Sequence, residues 1–392
     1  MKNTVSTQLV TYLGDRTDEM LSMLEIMVKM ETPSLEPSTQ QPLLHYLGEQ
    51  LADLDLSVEI IPGEGRSGGH IHACNPANSQ ATQLLLGHCD TVWPVGTLKT
   101  MPWGVKNNQV SGPGAFDMKG GIVQLLFALR CLRDLGIEMR VAPVVFINSD
   151  EEIGSRESKD RIIQLAKKAD RALVMEPALG LDGNLKTRRK GTGVYRFKIY
   201  GKSAHAGLAP ETGASAIVEL AHVVQFLDSL NDPTKGITVN VGKIDGGMRA
   251  NVVAPESSAV ADVRVPSDEE ARMIEERLMG LKPVTPGTRI EVSGGFGRPP
   301  LEKNKRNNLL WDAAQDAARQ LDFAVAEGLA GGGSDGSFTA AHTATLDGLG
   351  PVGDGAHAVH EFIYFDKMVE RSALLAMLLK MPAIQSNDHM EL

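Results

Sequence analysis

Three short apolar runs in the first half of the chain constrain its fold more than any other feature. They cover Thr82–Leu86, Val141–Ile147 and Arg171–Met175, and turn-forming residues bound them. Runs of this length are typical of strands buried on both faces of a mostly parallel sheet. A helix-spaced apolar pattern over Met118–Leu135 connects the first two runs, and Gly136 ends it. The repeated strand–helix–strand order predicts an α/β domain with helices on both faces of its sheet.

The chain changes character after about Arg188, where the predicted elements follow the order β-α-β-β-α-β of a ferredoxin-like sandwich. These elements are Gly193–Gly201, Ala214–Leu230, Ile237–Ile244, Ser258–Val265, Asp268–Leu281 and Thr288–Ser293. We therefore predict a first domain at 1–187 and 300–392 and an inserted α+β domain at 188–299. Further helices are predicted at Thr17–Met30, Gln41–Leu54, Asn308–Leu321 and Phe365–Met381, with a frayed tail from Gln385.

Charge and composition exclude several classes of function. The chain carries 39 Lys and Arg against 49 Asp and Glu, a net charge of −10, so we expect no nucleic-acid partner. It contains no uninterrupted run of the ~20 apolar residues that a membrane-spanning helix needs, so we expect no membrane association. The first ten residues lack the apolar segment of a secretion signal, and three scattered cysteines do not form a disulfide framework. We expect a cytoplasmic protein.

Residue types that bind metals follow each of the predicted strands. His88 and Asp90 follow the first run, Asp150–Glu152 follow the second, and Glu176 follows the third. Asp90 is placed to accept the second ring N–H of His88, as carboxylates beside metal-bound histidines do. Each segment also has a simpler explanation. His88 and Asp90 fit an ordinary surface loop, the three acids fit a solvated turn, and Glu176 fits a salt bridge.

Two further segments carry the same residue types. Asp117, in GPGAFDMKGG, precedes the helical pattern, so capping a helix N-terminus is its simplest role. His357 and His360 lie in a glycine-flanked loop near the C-terminal end and compete for one ligand position. The carboxyl ends of parallel strands meet at one edge of a sheet, where α/β proteins place their sites. Two histidines and three acids there suffice for two divalent ions, with one more glutamate left to handle a proton. The sequence thus predicts a two-metal hydrolase site.

The ordered motifs HCD, GAFDMKGG, SDEEIGS, VMEP, GKSAHAG, GGGSDGS and GAHAVHEF resemble those of a known family. It is the di-zinc peptidase family of aminoacylases, acetylornithine and succinyl-diaminopimelate deacylases, and bacterial glutamate carboxypeptidase. The resemblance extends over nearly the whole chain and is strongest to glutamate carboxypeptidase, through GKSAHAG-x-APE-x-G, ANVVAP, ADVR, GRP and GGGSD. It implies an α/β zinc domain with an inserted dimerisation and lid domain.

The resemblance also implies a ligand set for two zinc ions per subunit, which Co²⁺ or Mn²⁺ can replace. By this resemblance, His88, Asp117 and Glu176 hold one ion, and Asp117, Glu152 and His357 hold the other. His357 is preferred to His360 because the family's last ligand usually precedes a glutamate by about four residues, as His357 precedes Glu361.

Catalytic and substrate-binding roles follow from the same resemblance. It makes Glu151 the general base, gives Asp90 the role of orienting His88, and places His205 in the site of a partner subunit. It assigns substrate contacts to Asn251, Arg264, Arg298, Gly332 and Gly333. Arg298 is the best candidate for the substrate carboxylate, because a guanidinium binds carboxylates through two parallel hydrogen bonds. Arg264 also fits a surface ion pair, and the glycine run also fits a flexible turn.

The implied reaction is hydrolysis of the amide bond that joins a peptidyl or N-acyl group to a C-terminal amino acid. An N-acetyl or N-succinyl amino acid deacylase is the alternative within the enzyme class. A non-catalytic metal-binding protein is the alternative from another class, although such a protein has no use for Glu151 as a base. A cysteine hydrolase that uses Cys89 is a weaker alternative. We also expect a homodimer through the inserted domain, whose predicted helix 214–230 must cover its apolar face.

Overall fold

A computed structural model describes residues 4–75 and 81–384, so the predicted fraying from Gln385 lies outside the described residues. The chain divides into two compact units. The first contains the chain up to Thr187, Lys303–Ala330 and the chain from Ser334 onward, and the second contains Arg188–Glu302 with Gly331–Gly333. The second unit extends beyond the predicted boundary at 299 because Arg189 and Leu301 pair through two backbone hydrogen bonds of 3.0 Å.

The seven helices that the sequence predicted begin and end within three residues of their predicted bounds. In chain order they are α1 Val5–Gly14, α2 Thr17–Lys29, α3 Gln41–Ala52, α4 Gly120–Asp134, α5 Lys159–Ala166, α6 Ala216–Asp228, α7 Asp268–Met279, α8 Lys305–Gln320, α9 Gly336–Ala340 and α10 Asp366–Leu379. The sequence pattern did not predict α1, α5 or α9. Among the described residues, we find no helix with the length and apolar character that crossing a bilayer requires.

Strands occur in both units. In chain order they are β1 Ser57–Ile61, β2 His70–Cys74, β3 Thr82–His88, β4 Gly104–Lys106, β5 Gln109–Ser111, β6 Ala142–Asn148, β7 Ala169–Val174, β8 Leu185–Arg189, β9 Gly191–Tyr200, β10 Thr238–Gly246, β11 Glu256–Val265, β12 Arg289–Arg298, β13 Glu327–Ala330, β14 Ala344–Leu346, β15 Gly353–Asp354 and β16 Phe362–Tyr364.

The first unit is built on a six-stranded sheet with the order β1-β2-β6-β3-β7-β14. Strands β6, β3, β7 and β14 are parallel, whereas β1 and β2 extend the sheet with antiparallel pairing. The three predicted apolar runs form the buried strands β3, β6 and β7. The predicted α/β class with a mostly parallel sheet is confirmed. Helix α4 is buried along nearly its whole length, because helix α10 packs against it over the sheet.

The second unit is a four-stranded antiparallel sheet with the order β10-β11-β9-β12. Helix α6 packs against β10 and β11, and α7 packs against β12 and β11. Alternate residues of β9, such as Tyr195, Phe197 and Ile199, point into the resulting core. The chain order β-α-β-β-α-β is the order expected of a ferredoxin-like sandwich.

Candidate metal centre

Three parallel strands bring the candidate ligands to one edge of the central sheet. Strand β3 ends at His88, β6 is followed by Glu151 and Glu152, and β7 is followed by Glu176. Because β3 pairs with β6 on one side and with β7 on the other, the carboxyl ends of all three strands are neighbours. This is the edge at which open α/β sheets bind their ligands.

Asp117 enters the site from an irregular turn over Ala115–Lys119. Asp117 has φ −114° and ψ 97°, and the peptide bond between Asp117 and Met118 is cis. Helix α4 begins at Gly120, so the predicted helix start at Met118 is wrong by two residues. Because of this turn, the Asp117 side chain points towards His88 and does not cap the helix. The distance from His88 Nε2 to Asp117 Oδ1 is 3.2 Å, and that from His88 Nε2 to Glu176 Oε1 is 3.6 Å.

His357 lies on the other side of Asp117. Its Nε2 is 3.1 Å from Glu152 Oε2 and 3.5 Å from Asp117 Oδ2. Asp117 therefore directs Oδ1 towards one histidine and Oδ2 towards the other. His360 is exposed.

Glu151 and Asp90 lie against the same cluster. A carboxylate oxygen of Glu151 lies within 4.8 Å of ligand atoms of His88 and Glu176, and the Glu151 residue is buried. Asp90 Oδ1 lies 3.4 Å from His88 Nδ1 and accepts the backbone N–H of Glu151 at 3.2 Å. Asp90 thus contacts the predicted ligand and the backbone of the predicted base at once.

The charges of the cluster depend strongly on one another. Burial lowers the pKa of His88, but hydrogen bonds to Asp117 and Asp90 outweigh burial and hold this pKa well above its ordinary value. Hydrogen bonds to Asp117 and Glu152 raise the pKa of His357 to about 10. Burial raises the pKa of Glu152 to about 7 against the hydrogen bond from His357. Burial also raises the pKa of Asp117, but the two histidines reverse this effect and hold that pKa well below its usual range.

This donor set fits divalent metal ions. Two groups of ligand atoms, each within 4.8 Å, share His88: one adds Glu151 and Glu176, and the other adds Asp117 and Glu152. Imidazole nitrogens and carboxylate oxygens are the ligands of zinc and of related first-row ions. Without an ion, the raised pKa values of His88, His357 and Glu152 favour bound protons in this cluster. Binding an ion releases such protons, because ligands bind in their deprotonated form.

Glu361 has a role that sequence reasoning missed. Its buried carboxylate accepts the Trp93 indole N–H at 2.9 Å and the backbone N–H groups of Gly114, Phe116 and Asp117 at 3.0, 2.8 and 3.1 Å. Through the three backbone hydrogen bonds, the Glu361 carboxylate holds the turn that carries Asp117. The sequence contained one signal, an acid in a glycine-flanked loop, but the donors lie about 245 or more residues earlier in the chain.

Asp150, the first of the three consecutive acids, belongs to neither group of candidate ligand atoms among the described residues. Its Oδ2 accepts the backbone N–H groups of Glu157 and Ser158, and its Oδ1 accepts the Ser158 hydroxyl at 2.6 Å. Burial raises the pKa of Asp150. Asp150 therefore folds the turn that follows Glu151 and Glu152.

Cys89 lies between His88 and Asp90 and is fully buried. Burial raises the pKa of its thiol to about 12. A nucleophilic cysteine requires the thiolate form at working pH. These observations oppose the cysteine-hydrolase alternative and agree with a packing role for Cys89.

In the second unit, His205 is held in one tautomer by its own loop. Its Nδ1 accepts the backbone N–H groups of Gly207 and Leu208 at 3.1 and 3.2 Å. The neutral ring therefore carries its proton on Nε2. The backbone oxygen of Asn251 accepts the N–H of Ala206 at 3.0 Å, which fixes the two predicted residues on neighbouring segments.

The predicted arginines surround the glycine run of the second unit. Arg264 forms an ion pair with Asp262 at 2.9 Å and donates to the Gly331 carbonyl at 2.9 Å. The carbonyls of Gly332 and Gly333 accept hydrogen bonds from Arg189. A Cβ on Gly333 would lie 3.0 Å from the Arg298 side chain. The glycines thus direct carbonyl oxygens to guanidinium groups, and their predicted role in substrate binding stays a prediction.

Comparison with known proteins decides the family. A sequence model of the peptidase family M20/M25/M40 matches residues 84–381, which is well over half of the chain. The chain belongs to this family. Members of the M20 family are metal-dependent hydrolases of amide bonds, so the predicted family resemblance and the predicted enzyme class are confirmed.

Individual M20 relatives match most of the chain. Carboxypeptidase G2 of Pseudomonas sp. strain RS-16 is 29% identical over 88% of this chain and 84% of its own length. Succinyl-diaminopimelate desuccinylase of Marinobacter nauticus is 24% identical over 73% of this chain and 79% of its own length. Bacillus subtilis YXEP, a dinuclear metal-binding M20 peptidase of known structure, covers 94% of this chain and 98% of its own with a TM-score of 0.69 at 14% identity.

Proposed function

We propose that this chain is a two-metal hydrolase that cleaves the amide bond between a peptidyl or N-acyl group and a C-terminal amino acid. One observation carries the proposal: the two oxygens of Asp117 point towards different histidines, His88 at 3.2 Å and His357 at 3.5 Å. Zinc is the expected ion, and Co²⁺ or Mn²⁺ are expected to replace it. The dinuclear relative and the carboxypeptidase relative support this proposal.

The proposed ligand sets are His88, Asp117 and Glu176 for one ion, and Asp117, Glu152 and His357 for the other. When bound, divalent ions at such a site lower the pKa of water and polarise the substrate carbonyl. The protein supplies the remaining functions. Asp90 orients His88 from its Nδ1 side, since the backbone carbonyl oxygen of Asp90 lies 3.1 Å and its Oδ1 lies 3.4 Å from that atom.

Glu151 is the proposed general base and general acid. Its carboxylate lies within the His88 and Glu176 cluster, and the hydrogen bond from its N–H to Asp90 fixes its backbone. Glu151 takes one proton from the attacking water as the new C–O bond forms. It then gives that proton to the amine nitrogen as the C–N bond breaks. The carboxylate returns to its starting charge, so one residue completes the cycle.

A chelator and one substitution test this assignment. Chelation should abolish turnover, and added Zn²⁺ should restore it. Glu151→Gln should retain two bound ions and the circular dichroism of the parent while kcat falls ~100- to 10,000-fold. The matched control is Glu25→Gln, which changes an exposed glutamate paired with Lys29 on the surface of α2. Activity in the fully metal-free protein would refute the proposal.

The deacylase alternative has support of its own, because one relative is a desuccinylase. The scissile bond is an amide in both cases, so only the acyl group and the leaving amino acid separate the two activities. A panel of dipeptides and N-acyl amino acids ending in Glu, Asp, Ala, Leu or Arg, assayed with Zn²⁺, decides between them.

We further propose a homodimer through the second unit. Helix α6 buries Leu220, Val223 and Leu227 against its own sheet, whereas the Ile217 residue stays 45% exposed. Strands β10 and β12 are the edges of this sheet, and an exposed edge is a template for pairing with another chain. Light scattering at micromolar concentration should show a dimer, and a strictly monomeric protein would contradict this proposal.

A further inference from the structure

An open pocket of about 270 Å³ adjoins the candidate metal centre within the first unit. Glu152 and Ile153 line one side of it, and the turn that begins at Pro33 and contains Leu35 lines another. Glu152 is also the carboxylate that contacts His357. A group bound in the pocket therefore lies beside the reacting centre.

The buried carboxylate of Asp90 connects the pocket wall with the candidate metal centre. Ser34 lies in the pocket wall, and its hydroxyl donates a hydrogen bond of 2.7 Å to Asp90 Oδ2. The same oxygen accepts the Glu152 N–H at 3.2 Å. The backbone N–H of Ser34 also donates to the Thr91 carbonyl at 3.0 Å, which joins two lining segments. Because the other Asp90 oxygen lies beside His88, the pocket and the candidate ligands keep a fixed spacing.

The lining determines which chemistry the pocket accepts. The residues Leu35 and Val92 are 83% and 41% exposed, so apolar surface there faces water. Covering that surface with an apolar group lowers the free energy. The described lining residues include two acids, Glu36 and Glu152, and no lysine or arginine. Because no lysine or arginine lines the described part of the pocket, a carboxylate bound there would lose its hydration without gaining a guanidinium or ammonium partner.

Size limits the occupant further. Pockets that enclose a whole drug-sized ligand measure about 300–1,000 Å³, so 270 Å³ holds one part of a substrate. We infer that this pocket binds the uncharged, apolar acyl group of the substrate, and that it disfavours succinyl-type acyl groups and the carboxylate of the leaving amino acid. This inference rests on the proposed amide hydrolysis and specifies its substrate class.

The test uses the metal-loaded enzyme and one leaving amino acid joined to acetyl, butanoyl, hexanoyl or succinyl groups. We expect kcat/KM to rise by up to about fourfold for each CH₂ group that the pocket covers, with the succinyl compound the poorest substrate. Leu35→Arg should reduce the gain with chain length and raise the succinyl-to-acetyl ratio about two- to fivefold. Val92→Arg provides a second variant, and Leu309→Arg on the exposed face of α8 is the control that should leave both ratios unchanged.

The outcomes separate the two hypotheses. Failure to hydrolyse any acyl amino acid or dipeptide would refute the proposed function, and the inference with it. Hydrolysis of the acetyl compound with no dependence on chain length, and unchanged ratios in both arginine variants, would refute the pocket alone. A preference for the succinyl compound in the parent enzyme would also refute it.

Discussion

Glu361→Gln tests whether the turn of Asp117 is held by a single distant carboxylate. Each carboxylate oxygen of Glu361 accepts two hydrogen bonds: Oε2 from Trp93 and Gly114, and Oε1 from Phe116 and Asp117. Glutamine has nearly the same shape but replaces one oxygen with an NH₂ group. That group donates hydrogen bonds, so two of the four donors lose their acceptor.

The expected magnitude follows from those two donors. A buried donor left without a partner costs about 1–3 kcal/mol, so Glu361→Gln should lower the free energy of unfolding by about 2–6 kcal/mol. The proposed metal affinity should fall about 10- to 100-fold, which is typical when a residue that positions a ligand is changed. Glu25→Gln, which removes only the surface pair with Lys29, should cost less than about 1 kcal/mol.

Tryptophan fluorescence suits this measurement because all three tryptophans, Trp93, Trp103 and Trp311, lie in the first unit. Urea unfolding followed by this signal reports the first unit without contribution from tryptophans in the second. Zn²⁺ titration of the metal-free protein supplies the affinity. Equal unfolding midpoints and equal affinities for Glu361→Gln and Glu25→Gln would refute the reasoning.

Three further predictions concern other parts of the chain. Burial raises the pKa of Glu219, but hydrogen bonds from backbone N–H groups outweigh burial and hold this pKa below its ordinary 4.5. The carboxylate therefore stabilises the second unit above pH 4.5, and this contribution is lost as the pH falls. Glu219→Gln should make the melting temperature depend less on pH between pH 3 and 6. A Cβ on Gly121 would lie 2.1 Å from Met175 O, so Gly121→Ala should lower the urea midpoint, whereas an unchanged midpoint would contradict the crowding. His205→Ala should keep both ions while kcat falls ~100- to 1,000-fold. If His205 serves a partner's site, mixing this variant with Glu151→Ala should restore partial activity. Verified subunit exchange without restored activity would contradict this role.

The parallel strands and the residues at their ends were predictable because both signals are local. An apolar run followed by His88 or by Glu176 shows a buried strand and its exit directly in the sequence. Strands β1 and β2 were missed because they carry no continuous apolar run: β1 alternates exposed and half-buried residues at the sheet edge. Helix α1 lies outside the predicted pattern, although Leu9 and Leu13 are fully buried.

The geometry around Asp117 was not predictable because distant residues determine it. The helical pattern continues back to Met118 in the sequence, yet the backbone is helical only from Gly120. Glu361 lies more than 240 residues away and accepts the N–H of Asp117. Local spacing favours a helix cap at Asp117, whereas the contact with Glu361 supports the turn that the structure shows.

The unequal exposure of the two candidate histidines has a kinetic consequence. The His88 side chain is 2% exposed, whereas the His357 side chain is 51% exposed. Under the proposed ligand sets, the ion beside His357 should exchange with solvent faster than the ion beside His88. Brief chelation would then leave an enzyme that holds only the ion beside His88. A different metal ion added afterwards would occupy the position beside His357. Such hybrids would let spectroscopy observe each position separately.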